Sequence, residues 1–251
     1  MTGTSSLSNK VAVVTGGSRG LGRGVVEALA SRGARVLALA RDEARLSALS
    51  REVAGAVPLV GDATDEALAE RVLREEKPDL VVLCAGAMPV LGPLHEQTWE
   101  GFVTNWNVDT KSTFVWLRLA LRLPMKRGAH VVVVSSGAAV QGSPVSGGYA
   151  SAKRAQWFMT DYARTEIGRA GLGLHVHCLL PTLNPSTALG RAGIEAYARR
   201  AGVTPEEFAK RFQPVLTPEV MGAGVVELFE APERWDQLAY RIGGGGLAAL
   251  Q

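Results

Sequence analysis

The feature that most constrains this chain is a short apolar run, Val11-Ala12-Val13-Val14. The turn Thr15-Gly16-Gly17-Ser18-Arg19-Gly20-Leu21-Gly22 follows at once, and then a helical pattern of Val25, Val26, Leu29 and Ala30. A β-branched run, a glycine-rich turn and a 3.6-residue apolar period read as strand, tight turn and helix. In that geometry the helix N-terminus offers unpaired N–H groups and the positive end of its dipole, which suits a phosphate. Glycines let the backbone turn sharply and let a pyrophosphate approach where a Cβ would block it. The glycines fall as G-x-x-x-G-x-G rather than G-x-G-x-x-G, and an ordinary strand-to-helix connection has the same ingredients.

The strand–helix cadence continues through most of the chain. Strand 34–40 precedes a helix opened by Arg41-Asp42 and running to about 53. Strand 57–60, helix 65–75 and strand 80–84 follow. Thr98 suits an N-cap for one long helix ending near 123, before Pro124. Val131-Val132-Val133-Val134 shows no alternation, so that strand is expected to be buried on both faces. Helix 148–168 and strand 174–180 come next. The stretch 185–214 breaks the rhythm with a capping box, Thr204-Pro205-Glu206-Glu207, so at least one helix is inserted there. Thr217-Pro218 opens another helix, and 237–242 reads as a last strand before four glycines. The pattern predicts an α/β fold of Rossmann type: a doubly wound, mainly parallel seven-stranded sheet with helices on both faces. One domain over 1–251 is expected, with a substrate-covering insert at about 185–214.

Composition narrows the function classes. The chain is 47% hydrophobic, enough for a sizeable core, and its net charge of +3 comes from 27 basic residues scattered among 24 acids. That balance gives no basic stripe for nucleic acid or a membrane surface. No apolar run reaches the ~18 residues of a membrane span, and the first eight residues lack the features of a secretory signal, so a cytoplasmic protein is expected. Cys84 and Cys178 each lie in an apolar strand-like run and read as a reduced, buried pair. No Cys/His cluster has metal-ligand spacing, and His175 and His177 read as hydrogen-bonded strand histidines.

Tyr149 and Lys153 stand four apart at the start of a helix, so both project from one face. A phenol beside an ammonium is an acid whose anion is favoured, as proton donation to a carbonyl oxygen near neutral pH requires. The same pair also fits a solvated helix face. Ser136 ends a buried strand at the sheet edge where open α/β folds bind ligands, and its hydroxyl either holds a carbonyl oxygen or caps a turn. Asn107 is a mediocre helix former inside an apolar pattern; it bonds a neighbouring carbonyl or holds a water in a proton path.

Together these residues resemble the short-chain dehydrogenase/reductase family over nearly the whole chain. The family's Thr-Gly-x-x-x-Gly-x-Gly is matched by Thr15, Gly16, Gly20 and Gly22, and its Tyr-x-x-x-Lys by Tyr149 and Lys153. Its serine thirteen residues before the tyrosine is matched by Ser136. The resemblance implies that Asn107 is the family's helix asparagine, anchoring a proton-relay water, and that Asp62, followed by Ala63, meets the adenine. It implies a cofactor site of Thr15, Gly16, Ser18, Arg19, Gly20, Leu21, Gly22, Arg41, Asp62, Ala63, Ala85, Gly86, Tyr149, Lys153, Pro181, Thr182 and Ser186. It also implies that Tyr149 protonates the carbonyl oxygen, Ser136 holds that oxygen, and Lys153 binds the nicotinamide ribose. Two departures stand out. The family's Asn-Ala-Gly is Cys84-Ala85-Gly86, and its Pro-Gly is Pro181-Thr182, where threonine takes a positive φ only at a cost.

At the end of the second strand, where NAD enzymes of the family carry an acid, the chain has Ala40-Arg41. With Arg19, this offers two guanidiniums for a 2′-phosphate, so NADP(H) is the expected cofactor, with NAD(H) possible. Asp42 is explained as a helix N-cap. The expected activity is hydride transfer between the nicotinamide and a small carbonyl or alcohol substrate. The alternatives are an NAD enzyme of the same family and a non-catalytic dinucleotide-binding regulator. The apolar content of helix 148–168 (Trp157, Phe158, Met159, Tyr162), with Trp106, Phe114 and Trp116 of helix 98–123, suggests a homodimer or homotetramer joined through these helices.

Overall fold

The computed structural model describes residues 7–250. Its strands form one sheet in the order β3-β2-β1-β4-β5-β6-β7-β8. These are β1 (Val11–Thr15), β2 (Arg35–Ala40), β3 (Ala56–Val60), β4 (Leu80–Leu83), β5 (His130–Val134), β6 (His175–Pro181), β7 (Ala239–Gly243) and β8 (Gly246–Ala249). All pairings are parallel except the last. The sequence pattern anticipated seven strands. The eighth is the returning arm of a hairpin in which Gly243 pairs with Gly246, and Gly246 has φ +91°, so two of the four glycines are the turn itself.

Alternation along the strands builds two hydrophobic layers. Ala12, Val14, Val36 and Ala38 face one core with Val25, Val26 and Leu29 of α1 (Gly20–Ser31) and Leu46 and Leu49 of α2 (Glu43–Glu52). Met221, Val225 and Leu228 of α10 (Pro218–Glu230) complete that layer. Val13, Leu37 and Leu39 face the other core, against α3 (Glu66–Glu76), α5 (Lys111–Arg122) and α7 (Gly147–Ala170). Five-residue β5 is buried on both faces throughout, as its unbroken valines required. Each α-layer helix is cut by its own signals. Asp42 caps α2 by accepting from the Arg45 N–H at 3.0 Å, and Asp65 caps α3 at Ala67 and Leu68. Gly171, at φ +61°, ends α7.

The long helix expected over 98–123 is not continuous. Thr98 caps as foreseen, accepting from Gly101, but it opens only the short α4 (Trp99–Phe102). A π-helical turn, Trp106–Thr110, then joins α4 to α5. A π-turn releases a backbone carbonyl from the helical ladder. That of Asp109 is taken up by the Gln156 side-chain amide at 3.1 Å, which also donates to Thr113 Oγ1 at 2.6 Å. Beyond β6 the insert holds two helices, α8 (Ala188–Ala201) and α9 (Pro205–Ala209), the second capped by Thr204 as its capping box predicted. A four-residue helix, α6 (Ala138–Gln141), follows β5.

No helix among the described residues is long and apolar enough to cross a membrane. Trp116 does not belong to an exposed helix face: it is buried, and its indole N–H donates to the Ala63 carbonyl at 3.0 Å.

Candidate active site

From β1 the chain winds one way to β2 and β3, then returns to β4 on the other side of β1. Ligands of open α/β sheets settle outside the strand ends at that reversal. Thr15 and Gly16 leave β1 there, and Cys84, Ala85 and Gly86 leave β4 beside them. The Thr15 hydroxyl, fully buried, accepts the N–H groups of Cys84 (3.0 Å) and Ala85 (3.1 Å). It is therefore a stitch beneath the crevice, and its side chain does not face a ligand as a direct cofactor contact would.

Two glycines exclude any side chain by proximity. A Cβ on Gly16, whose φ is +70°, would lie 2.9 Å from the Ala85 Cα, and one on Gly22 would lie 2.4 Å from the Gly16 carbonyl oxygen. Ser18 is buried at the turn and Leu21 packs on the core, so neither side chain is free. Arg19 is exposed and occupies the N-cap of α1 without bonding it, and no acid stands in the first turn. The N-terminal N–H groups and the dipole of α1 are thus uncompensated, and the close-packed glycine turn leaves the backbone bare. These residues fit the pyrophosphate of a dinucleotide. At the end of β2, Arg41 is three-quarters exposed with Asp62 only 3.9 Å away. Asp62 accepts the Thr64 N–H at 2.8 Å, which, with Arg41, holds its carboxyl below the usual range. Ala63 is buried behind it.

At the same edge, α7 carries Tyr149 and Lys153 on one face, with the Lys153 ammonium 5.5 Å from the Tyr149 ring centre. Lys153 is buried, and its Nζ donates to the Val134 carbonyl at 3.2 Å. The buried Ser135 hydroxyl donates to the Lys153 carbonyl at 2.7 Å, tying the end of β5 to α7. Ser136 is half-buried, and its oxygen accepts the Ala138 N–H at 3.2 Å. Burial pushes the Tyr149 phenol above its ordinary pKa, although Lys153 and Ser136 pull the other way. Burial also disfavours the Lys153 ammonium, but the charges of Asp109 and Tyr149 outweigh it, and the lysine stands above its usual value. The Cys84 thiol beside them is pushed up to about 11 by burial.

The expectation for Asn107 needs correction. Its side chain is exposed and does not reach this group. The residue of that turn facing Lys153 is Asp109, with Oδ1 at 3.0 Å from the ammonium and the carboxylate wholly buried. Asn105, also buried, donates to Asp109 Oδ2 at 3.2 Å and to the Ala87 carbonyl at 2.9 Å. Apolar periodicity could not point to Asp109: residues 105, 109, 112 and 116 share a buried stripe that 107 falls off, but three of these four are polar.

Past β6, Pro181 is buried and the Thr182 N–H donates to Ile242 at 2.9 Å. Thr182 does not have a positive φ, so the loop keeps its course without the glycine. Ser186 is exposed; its N–H and hydroxyl both donate to Asn184 Oδ1, at 2.8 and 2.7 Å. The insert has a small core of its own, with Tyr197 stacked on Phe208 at 5.6 Å beside Ile194 and Ala198. The Tyr197 hydroxyl donates to Ser143, itself 2.6 Å from Ser146. The insert is thereby latched to the segment just ahead of Tyr149.

Comparison with known proteins agrees with this geometry. A family model described as short chain dehydrogenase matches residues 10–193. L-fucose dehydrogenase of Mus musculus is 32% identical over 186 residues, covering 72% of this chain and 67% of that protein. Carbonyl reductase [NADPH] 2 of Sus scrofa is 32% identical over 183 residues, with 72% and 74% covered. L-xylulose reductase of Homo sapiens is 31% identical over 188 residues, with 74% and 76% covered. The crystal structure of levodione reductase superposes with a TM-score of 0.81 at 22% identity, covering 95% of this chain and 97% of that one, a likeness of fold.

Proposed function

The chain belongs to the short chain dehydrogenase family and is an oxidoreductase that binds a nicotinamide dinucleotide, and from that premise we propose that it transfers hydride between NADP(H) and a small carbonyl or alcohol substrate, with Tyr149 as the proton donor. The observation that carries the reading is the placement of Tyr149, Lys153 and Ser136 at the sheet edge where the uncapped, glycine-lined start of α1 also opens. When bound, the dinucleotide supplies or accepts the hydride. Tyr149 gives its phenolic proton to the carbonyl oxygen in reduction and takes it back in oxidation. The Ser136 hydroxyl donates to that oxygen as negative charge develops. Lys153, which donates to the Val134 carbonyl and is paired with Asp109, turns a remaining N–H donor to a ribose hydroxyl.

Preference for NADP(H) rests on the exposed guanidiniums of Arg41 and Arg19 and on Asp42 being spent as a helix cap. A carbonyl reductase named for NADPH among the relatives supports it. The insert latched through Tyr197 is proposed to cover the substrate. Phe114, Phe158 and Tyr162, each about half exposed or more, support a homodimer or homotetramer formed through α5 and α7. The unpaired Cys84 and Cys178 support a reducing, cytoplasmic setting, and the single sheet supports one domain. The test is a panel of ketones and aldehydes offered with NADPH and with NADH, following loss of the reduced-nicotinamide absorbance. Faster turnover with NADPH is expected; turnover with NADH alone would move the cofactor to NAD(H).

A further inference from the structure

Two hydrogen-bond donors and one ammonium converge on a buried carboxylate. Asp109 Oδ2 accepts the Ala87 N–H at 2.9 Å and the Asn105 amide at 3.2 Å, while the Lys153 ammonium stands 3.0 Å from Oδ1. Both partners of the ion pair are almost wholly buried, at 7% and 1% side-chain exposure. An asparagine oxygen could accept the same two hydrogen bonds, but only a carboxylate brings a negative charge to the ammonium. Gly86 leaves the space: a Cβ there would lie 2.8 Å from Asp109 Oδ1. The arrangement is a built site for a negative charge, and the charge lies against the lysine that should act on Tyr149.

The electrostatic consequence follows from position. An ammonium 5.5 Å from the phenol ring favours the phenolate. A carboxylate 3.0 Å from that ammonium makes the pair nearly neutral when seen from Tyr149, and itself repels a phenolate. The other titratable groups facing the pair are Cys84, at the end of β4, and Cys178, within β6; burial keeps both protonated. Neither thiol supplies a compensating positive charge.

We propose that Asp109 is a positioning residue that pins Lys153 and cancels much of its field at Tyr149, so that Tyr149 stays protonated to higher pH and the phenolate able to take a proton from an alcohol is scarce near neutral pH. This rests on the proposed oxidoreductase reading, in which Tyr149 is the proton donor. The cancellation is a property of residue 109: a neutral side chain there would leave the lysine's charge uncancelled.

The experiment is a spectrophotometric titration of the apoprotein. Tyrosinate absorbance is read by stopped flow just after a pH jump, before alkaline unfolding, in wild type, Tyr149→Phe, Asp109→Asn and the double variant. The transition missing from each Tyr149→Phe form belongs to Tyr149. In wild type it is expected above the ordinary tyrosine value of about 10. In Asp109→Asn it should fall by on the order of one to two units. The alkaline limb of kcat/KM for reduction should move down with it, a shift that loss of packing alone would not produce. A wild-type transition below about 10, or one that Asp109→Asn leaves in place, overturns the proposal. If Asp109→Asn does not fold, the wild-type midpoint alone decides. If the titrations behave as expected but no carbonyl is turned over with either dinucleotide, the oxidoreductase reading fails while the charge relationship stands.

Discussion

Gly86 and Asp109 occupy each other's space: a methyl group on the glycine would stand 2.8 Å from a carboxylate oxygen. The residue after β4 and the residue in the π-turn are therefore fitted to one another, although 23 positions separate them in the sequence. Replacing Gly86 with Ala should push the carboxylate off Lys153 and cost stability by the ~1–3 kcal/mol typical of overpacking. Equilibrium urea unfolding and a kcat assay would both fall. An unchanged midpoint and unchanged kcat would mean the contact has slack.

The cofactor preference makes a prediction about Arg41. A charge-assisted hydrogen bond contributes about 1.5–3 kcal/mol, and each ~1.4 kcal/mol is tenfold in affinity. Because Arg41 is exposed and screened, the low end applies. Arg41→Ala should weaken NADPH roughly tenfold and leave NADH nearly unchanged, measured as two dissociation constants at one ionic strength. Equal weakening of both would show that the guanidinium does not read a phosphate.

Acid stability should depend on a cluster far from the site. His130 stacks on His175 at 4.5 Å and packs against Phe229 and His177. Burial, with the two neighbouring histidines, lowers His130 to about 3, and burial lowers His177 as well. The unfolded chain takes these protons near the ordinary value of 6.5 while the folded chain refuses them. Stability is therefore full above about pH 6.5 and lost as pH falls toward 3, by up to ~1.4 kcal/mol per pH unit for each histidine. Denaturation midpoints between pH 7 and 5, above the carboxylate range, isolate the effect. His130→Phe should flatten the slope; an unaltered slope would clear the cluster.

Association is tested at Phe158 and Tyr162, which stack at 6.3 Å on the outer face of α7 and are 47% and 62% exposed. Sedimentation at micromolar concentration should give a dimer or larger, and Phe158→Asp with Tyr162→Asp should shift it toward monomer. A wild-type monomer would remove these helices as an interface.

Much of this was legible because local chemistry and tertiary environment agree. The β1 turn, the caps at Asp42, Thr98, Thr204 and Thr217, and the buried valines of β5 read the same in sequence and structure. What was missed has physical causes. The break after α4 comes from a π-turn, whose extra residue disturbs a 3.6-residue pattern only locally, and its compensation by Gln156 lies 47 residues away. The same insertion hid Asp109, because polarity singled out Asn107 while burial selects the stripe through 105 and 109. β8 was hidden by glycines that carry no strand propensity. Doubt about Thr182 came from a family pattern that the backbone here does not need.

The proposed chemistry turns on one atom, the phenolic oxygen of Tyr149. Tyr149→Phe keeps the ring over Lys153 and removes only the proton donor. The measurement is kcat for reduction of the best carbonyl found in the panel, with the NADPH dissociation constant determined on the same preparations. With Tyr149 as the proton donor, kcat should fall by at least ~10²–10⁴ with NADPH binding retained. Near-normal kcat in Tyr149→Phe would contradict it, because the carbonyl oxygen would then be taking its proton from another group.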